Sequence, residues 1–444
     1  MTGRSSGASW DDFFFDCRLI TRLWKRPLKR VLSGSWEPFV LSRRAPDPAS
    51  GLKRMGLYLH VPFCRDLCPF CPYNRREYDE GLYGLFEQGV HDEIRLAERS
   101  LNGSRPEVTS LYIGGGTPTV DPAGLVRMVR HLAEAFGPAK EVCVELHPSA
   151  MDDACLAALK DAGVTMLSVG VESLQDRLLG LIGRSHDAAA AQRAVARAAA
   201  AGFDSVNADL MFALPTQTPE ELDSDIRRLL AMGVDQLSTY PMFGFPYTDL
   251  GRSLSLDAIR RPNGRLIREM LSIIARRAGE AGLKRCAVWS FLKPSAKKFS
   301  SITRHHYLGF GPSAASMTGR QFRVNTFDVQ EYSRAAREGR PSALAMTLDE
   351  RLEMVYWLYW RVYEMKLPLA GFSELFGEDL DSRFGGLLRA LCAAGMLTRE
   401  DGGYRVPESA AYWVHRVQNE YSLNYIDRLW GTCRQEAWPE KVRL

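Results

Sequence analysis

The sequence predicts an α/β fold: a partial (β/α)6 TIM-type barrel with an N-terminal extension and a helical, winged-helix-like C-terminal domain. Short apolar runs alternate six times with amphipathic stretches between about residues 57 and 240. Strands that alternate with helices form parallel sheets through right-handed crossovers, and six such units close or partly close into a barrel. Cysteines, glycines and carboxylates stand where the runs end, and such barrels carry their chemistry at the C-terminal ends of their strands.

The six runs are the predicted strands, because each is short, apolar and bounded by turn residues. They cover residues 57–61, 110–114, 141–147, 166–171, 205–212 and 236–241. Helix start signals stand between them, at Asp121-Pro-Ala, Ser149-Ala-Met-Asp-Asp and Thr218-Pro-Glu-Glu. Helix ends are expected at glycines, which accept the left-handed conformation found there. These glycines are Gly163, Gly202 and Gly233.

With 444 residues, the chain is long enough for two domains or for one barrel with an appendage. Residues 1–54 are predicted to form a basic, aromatic extension, which contains eleven Lys and Arg residues and five Asp and Glu residues. Such a segment is able to lie on a membrane surface, but we expect it to fold onto its own domain or to close an active site as a lid. Residues 45–51 are interpreted as a linker into the core.

The barrel with its flanking strands is predicted to cover residues 55–320, and the C-terminal helical domain residues 321–444. After residue 241 the alternation weakens, with a further strand predicted at 284–289 and a glycine-rich turn at 307–312. From Thr347 the pattern becomes helical. The stretch 387–397 followed by Gly402-Gly-Tyr-Arg-Val406 is typical of a winged helix, and Tyr356-Trp-Leu-Tyr-Trp360 is interpreted as helical core.

The composition is that of an ordinary globular protein, and the net charge of +4 is too small to predict nucleic-acid binding. No apolar run approaches eighteen residues and no secretory signal is evident, so we expect a reducing cytoplasm. Six cysteines are scattered singly and are interpreted as buried free thiols rather than a disulfide framework. They are Cys17, Cys143, Cys155, Cys286, Cys392 and Cys433.

The most informative motif is Cys64-Arg-Asp-Leu-Cys68-Pro-Phe-Cys71, directly after the first predicted strand. Thiolates are soft ligands suited to iron–sulfur clusters, and three of them leave one iron of a cubane open to a small molecule. Zinc is the alternative, but structural zinc sites prefer four protein ligands. His60 lies on an extended strand and is expected to point away from the cysteine loop. The spacing therefore favours an iron–sulfur cluster.

Polar residues follow the other predicted strands. Gly114-Gly-Gly116 ends the second strand, where glycines permit either a tight turn or a close approach of backbone to a ligand. Glu145, Glu172 and Asp209 lie at or near the ends of the third, fourth and fifth strands. Charge at an apolar strand end is costly unless it is paired. For Glu145 and Asp209, ligand binding is favoured over a salt bridge with an arginine such as Arg184, because both lie on the predicted rim.

The adjacent histidines His305 and His306 are a further candidate metal site. Adjacent residues on a strand face opposite ways. A surface or substrate role is therefore favoured over metal ligation.

Six motifs together resemble the HemN-like branch of the radical S-adenosylmethionine (SAM) superfamily, over about residues 55–320. They are Tyr58-Leu-His-Val-Pro-Phe-Cys64, the cysteine triad, Tyr112-Ile-Gly-Gly-Gly-Thr-Pro-Thr119, Ser168-Val-Gly-Val-Glu-Ser-Leu174, Gly183-Arg-Ser-His186 and Asp209-Leu-Met-Phe-Ala-Leu-Pro-Thr-Gln-Thr218. The branch includes oxygen-independent coproporphyrinogen III oxidase and HemW-type heme chaperones. It also includes anaerobic heme-degrading methyltransferases and class C methyltransferases or cyclopropanases.

The resemblance implies a role for each matching residue. Cys64, Cys68 and Cys71 would ligate a catalytic [4Fe-4S] cluster. The SAM that chelates the cluster would be held by Tyr58, Phe70, Gly115 and Glu145, with the backbone at Gly114 beside it and Phe70 covering the adenine. Positions that hold a second SAM in the family are occupied here by Gly116, Thr117, Glu172, Arg184 and Asp209.

The resemblance also implies the chemistry and the partners. One electron from the reduced cluster would cleave SAM to methionine and a 5′-deoxyadenosyl radical, which abstracts hydrogen from a substrate or from the methyl group of the second SAM. The implied partners are a bulky small molecule, either a tetrapyrrole or a natural-product scaffold, and an electron donor such as flavodoxin or ferredoxin.

Three positions depart from the family patterns. Tyr73 stands where the coproporphyrinogen oxidase pattern has a further cysteine, and Glu172 stands where the family commonly has glutamine. The HemW-type His-Asn-x-x-Tyr-Trp heme signature is missing, and the stretch most similar to it is His305-His306-Tyr-Leu-Gly. The sequence therefore predicts a radical SAM enzyme that transfers a methyl or methylene group. Coproporphyrinogen-type oxidative decarboxylation and HemW-like heme binding are the alternatives.

Overall fold

A computed structural model describes residues 37–44, 51–255, 262–300 and 305–444, together with residues 30 and 34. The side chains of residues 254, 255 and 418–424 are not described. Most of the predicted extension over residues 1–54 lies outside the described residues, as does most of the linker 45–51. The lid over residues 1–54 therefore stays a prediction.

A row of six parallel strands forms the centre of the fold. They are β1 (Arg54–Val61), β2 (Glu107–Gly115), β3 (Val142–Leu146), β4 (Met166–Glu172), β5 (Ser205–Phe212) and β6 (Gln236–Pro241). Each pairs in parallel with the next in chain order. All six predicted strands are thus confirmed, although β1 and β2 begin earlier than predicted. Residues such as Leu59, Ile113 and Val144 face outward and are fully buried against the helices.

Helices connect these strands. They are Glu80–Ser100, Pro122–Phe136, Asp153–Asp161, Asp176–Leu181, Ala188–Ala200 and Pro219–Ala231, followed after β6 by Asp249–Ser255 and Gly264–Glu280. Local capping explains their starts, since Asp121 Oδ1 accepts a hydrogen bond from Gly124 N at 2.9 Å and Thr218 forms a capping box with Glu221. The predicted terminal glycines have φ angles of 87°, 71° and 84°.

The sheet continues beyond both ends of this row, to fourteen strands in all. Beyond β6 the sheet adds Ser290–Leu292 and then Lys284–Ala287. Beyond β1 it adds, in this order, Tyr307–Phe310, Ala315–Thr318, Gln321–Asn325, Ser342–Thr347, Val40–Ser42 and Lys441–Arg443. Tyr307–Phe310 runs parallel to β1, so seven neighbouring strands are parallel. The two ends of the sheet are Lys284–Ala287 and Lys441–Arg443, so the sheet is open. The predicted partial barrel is confirmed.

Two predictions after residue 241 need correction. Residues 307–310 form a strand rather than part of a glycine-rich turn. Gly309 allows the backbone of Ala315 to pack closely against it, because a Cβ at 309 would lie 2.1 Å from the carbonyl oxygen of Ala315. Of the two glycines, only Gly311, with φ 100°, makes the turn. The strand predicted at 284–289 ends at Ala287, because residues 288–289 form the turn of a hairpin whose second arm is Ser290–Leu292.

The C-terminal part is mainly helical. Its helices are Val329–Arg337, Glu350–Tyr363, Leu369–Phe376, Leu380–Ala393 and Ala411–Gln435. A small sheet of Lys366–Pro368, Gly403–Arg405 and Thr398–Glu400 follows the winged-helix pattern. The predicted boundary at residue 320 falls between Ala315–Thr318 and Gln321–Asn325, which are hydrogen-bonded strands of the large sheet.

None of the helices in the described ranges has both the length and the apolar character needed to cross a bilayer.

Candidate active site

The C-terminal ends of β1–β6 surround a cavity of about 330 Å³. Side chains alternate along a strand, so the residues between the outward apolar positions face this cavity. The inward positions that line it include Tyr112, Glu145, Ser168, Gly170, Asp209, Ser238 and Tyr240. The polar residues of otherwise apolar strands therefore share one rim.

The three cysteines of the motif all line the cavity. Cys64 ends the short strand Phe63–Cys64, which pairs with Arg76–Glu77, and the backbone N–H of Cys71 donates to the carbonyl of Cys68 at 3.2 Å. Burial raises the pKa of the Cys71 thiol to about 12, opposed by Arg75 and reinforced by the other two cysteines. Thiols of this kind ionise on binding a metal. Three sulfur donors around an open cavity fit a cluster with one iron left for a small ligand.

Arg184 connects the cysteine loop with the strand ends. Its Nη1 lies 3.5 Å from Cys68 Sγ, and its Nη2 donates to the carbonyl of Gly170 at 2.6 Å. Its Nε is buried without a hydrogen-bond partner among the described residues. An unpaired buried N–H is costly, so this atom points to a ligand that would complete the site.

The three glycines after β2 each make room for a different neighbour. A Cβ on Gly114 would lie 2.7 Å from the Glu145 carboxylate, and one on Gly115, whose φ is 117°, would lie 2.8 Å from the His60 ring. On Gly116, a Cβ would lie 2.6 Å from the Phe63 carbonyl and 2.9 Å from Cys64 Sγ. Only glycine allows the end of β2 to lie this close to the cysteine loop.

Glu145 accepts a hydrogen bond from the Tyr112 hydroxyl at 2.5 Å and one from the Gly115 N–H at 3.3 Å. Burial raises the pKa of its carboxyl group, despite these two hydrogen bonds. Arg184 is not among its hydrogen-bond or ion-pair partners in the described part of the chain. This geometry is compatible with the ligand-binding role favoured from the sequence, which stays a prediction.

Glu172 and Asp209 lie on the two strands that follow the Glu145 strand in the sheet. Glu172 accepts from the Tyr240 hydroxyl at 2.5 Å and lies 4.0 Å from Arg184, with a φ of 65° that is rare outside glycine. Asp209 accepts from the Ser168 hydroxyl at 2.5 Å and from the Asn207 amide at 2.9 Å. Burial, together with the charge of Glu172, raises the pKa of Asp209 to about 8.

Three buried carboxyl groups crowd together in the cavity. Burial raises the pKa of Glu145, Glu172 and Asp209, and repulsion from neighbouring carboxylates adds to this for Glu145 and Asp209. A ligand that brings positive charge would relieve this repulsion and lower those pKa values. An ammonium or a sulfonium group has the required charge.

Nearly all site residues predicted from the sequence line this cavity. They are Cys64, Cys68, Phe70, Cys71, Gly115, Gly116, Thr117, Glu145, Glu172, Arg184 and Asp209. Gly114 and Tyr58 lie behind the lining. The Tyr58 hydroxyl bonds to His60 Nδ1 at 2.7 Å, and His60 Nε2 bonds to the Asn74 carbonyl at 2.8 Å. The expectation that His60 points away from the cysteine loop is therefore wrong, because Asn74 lies three residues after Cys71.

Several lining residues were missed. Ser168 and Tyr240 could have been found from strand alternation, since each lies an even number of residues from a predicted rim position or strand end. The far side of the cavity is formed by five aromatic residues, here called the aromatic wall: Phe243, Phe245, Trp289, Phe299 and Tyr363. Lys298 and Arg75 also face the cavity. The aromatic wall comes from segments with no local motif.

Comparisons with known proteins show the family of this chain. Residues 58–229 match the family model described as the radical SAM superfamily. The chain is 32% identical over 427 residues to radical S-adenosyl methionine domain-containing protein 1, mitochondrial, of Mus musculus, covering 89% of this chain and 91% of that protein. The chain belongs to the radical SAM superfamily.

Other relatives place this radical SAM protein in the HemN-like branch. It is 27% identical over 374 residues to the heme chaperone HemW of Bacillus subtilis, across 81% of this chain and 95% of that one. Its fold is similar to that of coproporphyrinogen III oxidase (HemN) from Escherichia coli, with a TM-score of 0.70 and 21% identity, covering 83% of this chain and 90% of that structure.

A [4Fe-4S] cluster and SAM are therefore the cofactors of this radical SAM protein. The donor set fits them, because three thiols, an unpaired buried guanidinium N–H and three buried carboxyl groups meet in one cavity. We expect Cys64, Cys68 and Cys71 to hold the cluster and Glu145 with Gly115 to hold SAM.

Proposed function

We propose that this radical SAM protein binds two molecules of SAM in the cavity and transfers a methyl or methylene group to a bulky substrate. When bound, the cluster and the first SAM supply a 5′-deoxyadenosyl radical as the hydrogen-abstracting agent. The protein's own part is to hold both SAM molecules and the substrate close together. Support for two SAM sites comes from the two groups of carboxylates in the cavity.

The first group is Glu145 with its neighbours Tyr112 and Gly115. The Tyr112 hydroxyl fixes one carboxylate oxygen of Glu145 and the Gly115 N–H fixes the other. Both of these partners donate, so further lone pairs on the carboxylate stay available to an ammonium or a ribose hydroxyl. Glycine at 115 and 116 lets such a ligand approach the backbone.

The second group is Glu172 and Asp209 with Arg184. The observation that carries the proposal is the position of Arg184, whose guanidinium lies 3.5 Å from Cys68 Sγ and 4.0 Å from Glu172. The second carboxylate group is thus next to the cysteine loop. A ligand held there would be within reach of one held at Glu145.

The aromatic wall supports a large, flat substrate. Its rings offer apolar stacking surface, and Lys298 and Arg75 add cationic groups beside it. We propose a tetrapyrrole or a natural-product scaffold bearing carboxylates, with a flavodoxin or ferredoxin as the electron donor.

A second candidate is heme binding without SAM cleavage, because the Bacillus subtilis relative is named a heme chaperone. The aromatic wall would also suit a porphyrin. Oxidative decarboxylation of the coproporphyrinogen type is less favoured, since Tyr73 replaces the further cysteine of that pattern.

The number of SAM sites tests the main proposal without a known substrate. Anaerobically reconstituted protein is dialysed against labelled SAM, and the bound equivalents are counted. We expect two per chain, falling to one in Asp209→Asn with cluster iron unchanged, and two in the control Cys155→Ala, whose buried thiol lies on the helix Asp153–Asp161. A wild-type value of one would sink the two-SAM proposal.

Turnover separates an enzyme from a heme carrier. With SAM and dithionite, an enzyme forms 5′-deoxyadenosine, and methyl transfer also forms S-adenosylhomocysteine once substrate is present. Coproporphyrinogen III and heme are the two probes. Decarboxylation of the first would establish the oxidase reaction instead, and tight heme binding with no SAM cleavage would establish the chaperone function.

A further inference from the structure

A second cluster of metal-binding side chains lies away from the cavity. His305 and His306 directly precede the strand Tyr307–Phe310, and the backbone N–H of Gly56 donates to the carbonyl of His306 at 2.9 Å. Glu353 lies in the first turn of the helix Glu350–Tyr363. Because the histidines stand before the N-terminal end of a strand parallel to β1, they lie toward the end of the barrel opposite the cysteine loop.

The expectation that the two histidines face opposite ways is wrong. It assumed that both lie on a strand, but the strand starts only at Tyr307, so both histidines precede it. Their ring centroids are 4.6 Å apart. One ring nitrogen of each histidine and one carboxylate oxygen of Glu353 lie within 4.8 Å of one another.

The separation of His305 and Glu353 is close to that of two ligands on a bound ion. Zinc binds histidine nitrogen and carboxylate oxygen at about 2.0–2.2 Å, so two ligand atoms in a tetrahedral site are about 3.4 Å apart. His305 Nε2 and Glu353 Oε1 are already 3.1 Å apart. The ring nitrogen of His306, within 4.8 Å of both, would move closer when the ion binds.

The surroundings leave a donor atom of His306 free and fix the Glu353 carboxylate. Nδ1 of His306 is buried and has no hydrogen-bond partner in the described part of the chain. An unpaired buried ring nitrogen is costly, so this atom points to a ligand. Arg320 Nε donates to the other Glu353 oxygen, Oε2, at 3.2 Å and orients the carboxylate from outside.

We propose that His305, His306 and Glu353 bind one divalent transition-metal ion, with zinc the best fit and water as the fourth ligand. Two imidazoles and one carboxylate are typical zinc donors. The ion would join the strand Tyr307–Phe310 to the helix Glu350–Tyr363. Its role is structural, because the site lies away from the cavity, and it is independent of the proposed reaction.

Metal content of the untagged, full-length, cluster-loaded protein is the first test. The protein is dialysed against micromolar zinc chloride, and zinc and iron are then quantified separately in each sample. We expect one zinc per chain, lost in His306→Gln, with iron unchanged. His306→Gln is informative because it leaves the His305–Glu353 contact intact.

The chain offers a matched control in another histidine pair. His91 Nδ1 and His131 Nδ1 lie 2.7 Å apart, with Glu87 3.6 Å from His91 Nε2. We expect the variant His91→Ala/His131→Ala to keep its zinc. Loss of zinc in this control but not in His306→Gln would overturn the proposal, and so would wild-type protein that binds no zinc.

Residual zinc on cluster-free cysteines is excluded with Cys64→Ala/Cys68→Ala/Cys71→Ala, which should still bind one zinc. Because an ion that binds only the folded state stabilises it, zinc should raise the Tm of this variant by about 2 °C or more. Adding His306→Gln should abolish that rise. If the Tm of this variant is the same with and without zinc, His305 and Glu353 form an ion pair only.

Discussion

Arg434 donates a hydrogen bond from Nη2 to the main-chain carbonyl of Pro72, at 2.8 Å, across 362 residues of sequence. The same nitrogen lies 2.5 Å from the carbonyl of Tyr73, and the guanidinium stacks 5.0 Å from the Tyr247 ring. Pro72 directly follows Cys71. The end of the helix Ala411–Gln435 therefore holds the loop that carries the three cysteines.

Removing this contact should loosen the cysteine loop. We expect Arg434→Ala to fold, but to retain severalfold less iron after anaerobic reconstitution and desalting, because the Tyr73 carbonyl loses the arginine donor and the Pro72 carbonyl keeps only the Tyr247 hydroxyl at 3.3 Å. Iron content and cluster absorbance are the measurements. The matched control is Arg334→Ala, an exposed helical arginine in ion pairs with Glu331 and Glu338. Equal iron in both variants would contradict a role for Arg434 in positioning the loop.

Gly116 should tolerate no side chain. In Gly116→Ala the new Cβ meets backbone at Phe63 and the sulfur of Cys64, so we expect a loss of about 1–3 kcal/mol in the free energy of unfolding and poor cluster retention. Gly180→Ala is the control, since nothing lies within 4 Å of its Cβ in the helix Asp176–Leu181. That change should be neutral or stabilise by about 0.5–1 kcal/mol. Similar behaviour of the two variants would show that close packing at 116 does not matter.

Glu172 should set the pH dependence of SAM binding through Asp209. The pKa of Asp209 is about 8, and Glu172 is among the charges that raise it. If cationic SAM prefers ionised Asp209, affinity rises with pH through about 8 in the wild type. Glu172→Gln removes a negative charge, so the midpoint should move to lower pH. Dissociation constants measured from about pH 6 to about pH 9 report it. A midpoint unmoved relative to the exposed-residue control Glu331→Gln would argue against this coupling.

Asp209 should also lower the free energy of unfolding of the cluster-free protein at neutral and alkaline pH. Its pKa is about 8 in the folded chain against 3.8 ordinarily, so the folded state keeps a proton that the unfolded chain releases. Its contribution to stability therefore falls as pH rises from about 4 to about 8. Asp209→Asn removes this titration. The free energy of unfolding of the variant, relative to wild type, should rise by about 1–3 kcal/mol between about pH 5 and about pH 8. A constant difference across that range would contradict the raised pKa.

The six central strands were predictable because both of their faces are covered. Burial on two sides leaves short, nearly continuous apolar runs, and local caps such as Asp121 and Thr218 mark the helices between them. The same regularity placed Glu145, Glu172 and Asp209 on one rim. These features depend on residues that are close in the sequence, so they can be predicted from the sequence.

Features made by distant segments were not predictable in this way. Trp289 and Tyr363 reach the aromatic wall from a hairpin and from a helix of the C-terminal part, and no local pattern marks either. The error at His305 and His306 arose because both were assigned to a strand that starts only at Tyr307, which reversed the conclusion about side-chain direction. The φ of 65° at Glu172 accompanies a register irregularity between β4 and β5, which no local pattern marks.

The contact between Arg434 and Pro72 has a consequence for the order of events during synthesis. At about 5–20 residues per second, the cysteine loop would emerge roughly 20–70 s before the residue that clamps it. Throughout that interval three thiols stand on a loop whose carbonyls still lack their donor. Cluster loading is therefore expected to follow synthesis of the helix Ala411–Gln435, and a ribosome stalled before Arg434 should carry a nascent chain that binds iron poorly.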